Sequence, residues 1–289
     1  MAGARHIPLY AATYTLVGTE PAATDRAGFA ARLGAVKRAG MDGLTLHFND
    51  PVFTALAPGE IAGLIADMDV TVPAIDFLSD WSGPPEDSLA QALRIAEIAG
   101  APVIHLGLDL AGRCPPLADL AAPFRTLCAR AADAGRRIAL EPVAWGAVSS
   151  LDAALELIES AALFGPGLVL DVWHLASAAP LPLTRLAGLD HSLVSTVQIS
   201  DALPMTHASP SAVIRATRDR LYPGDGALDI IGFLSALEPA LTASGVTVEV
   251  FSPGIGARTL DQTADAAATA GKQMLERLDR CRDKDLSHG

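Results

Sequence analysis

Short β-rich runs recur eight times along this chain, each separated from the next by a stretch of helical periodicity. That alternation constrains the fold more than any single motif. The runs are PLYAATYTL (8–16), GLTLHF (43–48), TVPAIDF (71–77), PVIHLGL (102–108), RIALEPV (137–143), GLVLDVWHL (167–175), LVSTVQIS (193–200) and VTVEVFS (246–252). Several are apolar almost throughout, as strands covered on both faces must be. Between them lie segments such as EDSLAQALRIAEIAG and LDAALELIES, with a polar or acidic start and apolar residues three and four apart. Strand–helix units repeated in this way predict a single-domain α/β fold, the (β/α)₈ TIM barrel, over residues 1–280. A doubly wound open sheet is the competing arrangement. It lacks support because LVGTEPA follows the first run where a GxGxxG loop would stand.

Composition narrows the function. The chain has 289 residues, half of them hydrophobic, and a formal net charge of −12 with no Lys/Arg cluster. An acidic surface of this kind argues against nucleic acid as a partner, because phosphate neutralisation by basic residues drives such binding. The three cysteines, Cys114, Cys128 and Cys281, are far apart and form no CxxC pair, so reduced thiols are expected. The N-terminal MAGARHIPLY has no apolar core of a signal peptide, and no run reaches the ~18 apolar residues of a bilayer span. Those readings point to a cytoplasmic protein away from membranes and leave a small-molecule enzyme or a protein-binding module open. A homo-oligomer is left open. Two segments break the repeat. Residues 202–229 form too long a connection for an ordinary strand–helix loop and read as a lid or substrate loop. Residues 281–289 read as a frayed tail.

Barrel chemistry sits at the C-terminal ends of the strands, and these ends are polar. They carry His47 and Asn49, Asp76, His105 and Asp109, Glu141, Asp171 and His174, Gln198 and Asp201, and Glu249. Glu141, Asp171, Gln198 and Glu249 are each embedded in apolar wall sequence. A lone buried carboxylate costs several kcal/mol, so each needs a basic partner, Arg137 for Glu141 for example, or several share a cation. Four consecutive strands offering oxygen donors favour the shared cation, and an all-oxygen set suits Mn²⁺ or Mg²⁺, with Co²⁺ a third choice. His174, three residues past Asp171, reads as a substrate contact or general acid/base. Trp145 and Trp173 read as core aromatics or as the wall of a polyol site. Arg220, ahead of the YPGDGALD turn, reads as a bidentate clamp for a carboxylate or phosphate. His47 and His105 are weaker substrate-site candidates.

These segments together, ALEPVAW at Glu141, LDVWH at Asp171 and His174, VQISDA at Gln198 and YPGDGALD with VTVEVFS at Glu249, resemble the xylose-isomerase-like TIM-barrel superfamily of sugar phosphate isomerases and epimerases. The resemblance covers the second half of the chain and matches the first half in strand rhythm only. It implies one divalent metal held by Glu141, Asp171, Gln198 and Glu249, with Gln at the third position as in hydroxypyruvate-isomerase-like and 3-dehydroshikimate-dehydratase-like branches. It also implies a substrate contact at His174 and a substrate clamp at Arg220. The EPVAWGAVSS segment departs from ketose 3-epimerases, which continue with an Arg and a second Glu, and the extra His ligands of the endonuclease IV branch are missing. The expected chemistry is metal-assisted proton abstraction next to a carbonyl. Glu141 or Glu249 would be the base in an isomerase or epimerase of a sugar or polyol-type ketone, which ranks first. His174 would be the base in a dehydratase of a cyclic polyol or carboxylate such as 3-dehydroshikimate or an inosose, which ranks second. A non-catalytic, metal-stabilised binding subunit ranks third.

Overall fold

The computed structural model describes residues 6–18, 25–79, 81, 86–107, 115–204, 217–252 and 255–288. The eight apolar runs become eight parallel strands: β1 Leu9–Ala12, β2 Gly43–His47, β3 Ala74–Leu78, β4 Val103–Leu106, β5 Arg137–Leu140, β6 Gly167–Asp171, β7 Val194–Ile199 and β8 Val246–Val248. They pair in sequence order and close into a barrel. Closure is the β1–β8 ladder, with Leu9 opposite Val246, Tyr10 opposite Thr247 and Ala11 opposite Val248. A closed sheet leaves no strand edge unpaired, and the helices cover its outer face. Strand residues are accordingly buried along nearly their whole length.

The helices start where polar caps stand. Asp25 accepts a hydrogen bond from the Gly28 N–H ahead of helix Arg26–Arg38, and Ser150 does the same for Ala153 ahead of helix Leu151–Ser160. Asp229 accepts from the Gly232 N–H and starts helix Ile230–Ala236. Leu89, Ala92, Ile95, Ala96 and Ala99 of helix Glu86–Ala99 are all buried, at the spacing of one helical face, and the helix stops at Gly100 with φ 69°.

The strands are shorter than the runs that announced them. The first run divides into β1 and a helical turn over Thr13–Val17. There the Thr13 hydroxyl donates to the Thr45 carbonyl and that of Thr15 to the Val248 carbonyl, so hydroxyls take over from the ladder. In LVLDVWHLA, β6 ends on Asp171 and helix Val172–Ala178 starts at the next residue, with no loop between. Residues 281–288 of the expected tail continue the last helix, which runs Leu260–His288. Arg280 pairs with Glu276 at 3.8 Å, and Arg282 pairs with Asp279 at 3.1 Å and with Glu238 at 3.6 Å, which ties the helix at Arg282 to a neighbouring one.

Residues 205–216 of the expected lid lie outside the described residues. Its two ends are held together by an antiparallel bridge between Asp201 and Leu221. The Asp201 carboxylate also accepts from the N–H groups of Gly224, Gly226 and Leu228, which fixes the turn. Among the described residues, no helix is long and apolar enough to cross a membrane.

Candidate active site

All four residues singled out as oxygen donors are buried at the C-terminal mouth of the barrel. Glu141 directly follows β5, and its N–H donates to the Leu106 carbonyl of β4. Asp171 ends β6 opposite Gln198 of β7. Glu249 directly follows β8, and its N–H donates to the Ile199 carbonyl of β7. The ladder itself therefore places these side chains. Asp171 has a second task, accepting the Trp173 N–H at 2.8 Å as cap of the helix that carries His174. That helix turns His174 back over the carboxylates, with Nε2 3.7 Å from Glu141 Oε1 and 3.8 Å from Asp171 Oδ2.

Arg220, expected as a substrate clamp, lines the same site. It is 2% exposed and lies among the carboxylates. Nη1 donates to Asp171 Oδ2 at 2.8 Å and to Glu249 Oε2 at 3.2 Å, while Nη2 is 3.2 Å from His174 Nε2. The guanidinium carbon is 4.7 Å from the centre of the Trp173 ring and 5.0 Å from that of Phe251. A guanidinium donates and cannot accept, so His174 Nε2 is the acceptor in this contact. Arg137, the partner considered for Glu141, is spent at the other end of the barrel on the carbonyls of Gly165, Pro166 and Ser192.

One guanidinium does not balance this much acid. Burial first, and then Asp171 and Asp76, push the Glu141 carboxyl well above its ordinary range despite Arg220. Glu249 is raised in the same way, by burial first and then by Asp76, Asp171 and Glu141, again with Arg220 opposing. Both carboxyls are thus driven to hold protons unless a further cation joins them. Gln198 adds a second sign. Its Nε2 donates to Glu249 Oε1 at 3.1 Å, while its Oε1 is buried with no partner among the described residues. An orphaned acceptor beside under-compensated carboxyls fits a divalent ion held by Glu141, Asp171, Gln198 and Glu249. The structure gathers Glu141 and Asp171 with His174 rather than with Glu249: ligand atoms of these three all lie within 4.8 Å of one another and could hold a metal ion, and Glu249 falls outside that group. Burial, the largest influence, lowers the His174 pKa to about 4, so the ring is neutral near pH 7.

Above these groups opens a cleft of about 460 Å³. Its walls are largely aromatic: Tyr14, His47, Phe77, Trp145 and Phe251, with Asn49, Ser79 and Arg218 as polar points. Tyr14 packs on His47 at 4.6 Å and on Phe251 at 5.2 Å between ring centres, and Trp145 packs on His174 at 5.0 Å. Burial, with Asp76, Asp50 and Glu249 nearby, holds the Tyr14 phenol up at about 12. Trp173 is fully buried beneath Arg220 and does not line the cleft. Gly107 lies against the wall: a Cβ there would stand 1.7 Å from Phe77 Cε2, so only glycine lets that ring keep its place.

His105, expected to contact substrate, is fully buried and does not line the cleft. Its Nε2 is 2.8 Å from Thr196 Oγ1 on β7, a strand not adjacent to β4, so the ring crosses the barrel interior. Its Nδ1 is 3.2 Å from Asp76 Oδ1. Burial works to raise Asp76, but the His105 hydrogen bond and charge, His47 and a hydrogen bond with Glu249 bring it below its usual value. Asp76 thereby links the His105–Thr196 pair to Glu249. Asp109 falls outside the described residues, and Asp201 serves the 222–228 turn. Tyr14, Phe77 and Phe251 are site residues that the sequence reading passed over. Tyr14 and Phe251 lie two residues beyond Ala12 and Glu249, positions where a strand-end search that admitted aromatics would find them.

A family model described as xylose isomerase-like TIM barrel matches residues 33–278. The chain is 30% identical over 256 residues to a 3-dehydroshikimate dehydratase of Pseudomonas aeruginosa PAO1, covering 85% of this chain and 38% of that protein. It is 28% identical over 263 residues to one of Pseudomonas putida KT2440, covering 88% and 39%. The chain therefore spans about two-fifths of the length of these curated relatives. Among solved structures, a xylose isomerase-like TIM barrel/4-hydroxyphenylpyruvate dioxygenase fusion protein superposes with a TM-score of 0.82 at 22% identity, over 96% of this chain and 44% of that one. The IolI protein with a bound zinc atom superposes with a TM-score of 0.79 at 17% identity, over 94% and 99%.

Proposed function

The chain belongs to the xylose isomerase-like TIM barrel family, and from that premise we propose that it is a divalent-metal-dependent dehydratase of 3-dehydroshikimate or a closely similar hydroxylated cyclic keto acid. The observation that carries this reading is the 30% identity, over 85% of the chain, to a 3-dehydroshikimate dehydratase. It reverses the order reached from the sequence, where an isomerase or epimerase came first. The EPVAWGAVSS segment, without the second Glu of ketose 3-epimerases, points the same way. So does a cleft walled by flat rings, which suits a six-membered ring better than an open-chain sugar.

Glu141, Asp171, Gln198 and Glu249 would hold a divalent ion, which would supply Lewis-acid polarisation of the carbonyl and stabilise charge developing on its oxygen. The protein's own groups do the rest. Trp145, Tyr14 and Phe251 bracket the ring and exclude water from it. Arg220 keeps Asp171 and Glu249 in place and holds His174 by its Nε2. Glu141, paired with His174 at 3.7 Å, takes the proton next to the carbonyl. The hydroxyl on the neighbouring carbon departs with a proton returned by the same pair. The hydrogen lost from carbon and the hydroxyl lost from its neighbour leave as one water, and the ring gains conjugation.

The test is the Mn²⁺- or Mg²⁺-loaded protein in D₂O with 3-dehydroshikimate, an inosose and a set of keto sugars. Growth of aromatic absorbance with loss of one water from 3-dehydroshikimate is the expected result. Deuterium gain at carbon in a keto sugar without loss of water would instead establish the isomerase or epimerase reading.

A further inference from the structure

A carboxylated substrate needs a positive group at the cleft, and Arg220 is not free to be that group. Both of its terminal nitrogens are engaged, Nη1 by Asp171 and Glu249 and Nη2 by His174; with only Nε unpartnered among the described residues, it is 2% exposed at the floor of the cleft between Trp173 and Phe251. Asp76, Glu141, Asp171 and Glu249 are buried around it, so the four carboxylates of the inner site outweigh one guanidinium and a divalent ion together and leave no surplus positive charge for an anion. His47 is held toward its neutral form, chiefly by burial. Among the described residues lining the cleft, one other cationic side chain is left, that of Arg218. It is exposed, has no ion pair or hydrogen bond among the described residues, and sits in the turn Thr217–Asp219 two residues before Arg220. The N–H of Arg220 donates to the Phe251 carbonyl, which anchors that turn to the end of β8.

We propose that Arg218 is the specificity-determining residue that receives the substrate's carboxylate at the rim of the cleft, leaving Arg220 to organise the carboxylates below. A guanidinium at the rim pairs with a planar carboxylate through two parallel N–H donors, which fixes the ring's orientation as well as its charge. The ring's hydroxyl and carbonyl edge is then turned inward, toward Glu141, His174 and Glu249. The enzyme discriminates against neutral polyols by leaving this arginine unpaired when they bind. This assignment rests on the dehydratase reading for its substrate class, though not for its geometry.

The experiment measures binding of 3,4-dihydroxybenzoate and of catechol, its counterpart without the carboxylate, by quenching of tryptophan fluorescence in metal-loaded wild type, Arg218→Gln and Arg218→Lys. The wild type is expected to prefer the carboxylate. Arg218→Gln is expected to weaken dihydroxybenzoate binding about 10- to 100-fold, the scale of a charge-assisted hydrogen bond, while catechol binding stays unchanged and Arg218→Lys recovers part of the loss. In turnover, the same substitution is expected to raise KM for 3-dehydroshikimate by a similar factor with a smaller change in kcat. Equal binding of the two ligands by the wild type, or equal losses of both in Arg218→Gln, would overturn the assignment. Dehydration that proceeds with an unchanged KM in Arg218→Gln defeats this assignment and leaves the proposed function standing. Carboxylate preference that depends on Arg218 without any dehydration does the reverse.

Discussion

Replacing Arg220 by Met is the most informative single perturbation of the site. The substitution keeps the length and apolar packing of the side chain against Trp173 and Phe251 but removes a guanidinium bonded to Asp171 and Glu249. Removing one partner of a buried ion pair costs about 3–5 kcal/mol, because the other charge stays buried and unpaired. Glu249 already tends to hold its proton, which places this loss at the lower end, about 3 kcal/mol at pH 7. For a chain of this length that corresponds to a fall in Tm of about 5 °C in metal-free protein. The loss shrinks as pH falls, since a protonated carboxyl no longer needs the guanidinium. A divalent ion brings positive charge to the same carboxylates, which Arg220 no longer compensates in the variant, so the variant binds it more tightly and saturating Mn²⁺ raises its Tm more than that of the wild type. Thermal unfolding of both proteins, with and without Mn²⁺ at pH 5 and pH 7, reads all of this. A fall of less than 1 °C in the metal-free variant, or an identical Mn²⁺ effect in both proteins, would refute the shared-oxygen account. Arg220→Lys keeps a charge and is expected to fall between the two.

Gly107→Ala places a methyl where the Phe77 ring lies, so it is expected to displace that ring and raise KM at least as much as it lowers kcat, with stability reduced by about 1–3 kcal/mol. Steady-state kinetics and denaturant unfolding check both parts. Burial lifts the Cys128 thiol to about 12, whereas Cys281 is exposed. At pH 8 only about one Cys128 in ten thousand is thiolate, so iodoacetamide followed by peptide mass mapping should label Cys281 in the native protein and Cys128 only after unfolding. A thiol pKa raised by folding adds stability that is complete below about pH 9 and is lost as pH climbs toward 12. The stability of Cys128→Ala is therefore expected to fall less steeply than that of wild type over that range.

The fold was legible because each strand is short, apolar on both faces and followed by a periodic helix, and a closed barrel is the arrangement that covers such strands throughout. Glu141, Asp171, Gln198 and Glu249 were legible for a related reason: a charged or amide side chain set in an otherwise apolar strand stands out against its surroundings. Arg220 was visible as a residue but not as to role, since the sequence does not say that the turn after Asp201 folds back and lowers the guanidinium between Asp171 and Glu249. His105 misled for the opposite reason. Its position near a strand end suits a substrate contact, but its ring crosses the interior to Thr196, and register along one strand does not reveal which layer a side chain occupies. Tyr14, Phe77 and Phe251 carried no charge to draw attention, and aromatic residues at strand ends are as consistent with core packing as with a substrate wall. The break between β6 and the helix after it was hidden because Val172, Trp173 and Leu175 are buried in either conformation.

The account stands most directly on one measurement: Mn²⁺ binding followed by electron paramagnetic resonance, with dehydration of 3-dehydroshikimate assayed in the same samples of wild type and Glu249→Gln. The predicted result is one tightly bound Mn²⁺ per chain in the wild type, water loss that tracks its occupancy, and weakening of both together in the variant. Dehydration that persists at full rate after chelation, or Mn²⁺ bound equally well by Glu249→Gln, would contradict it.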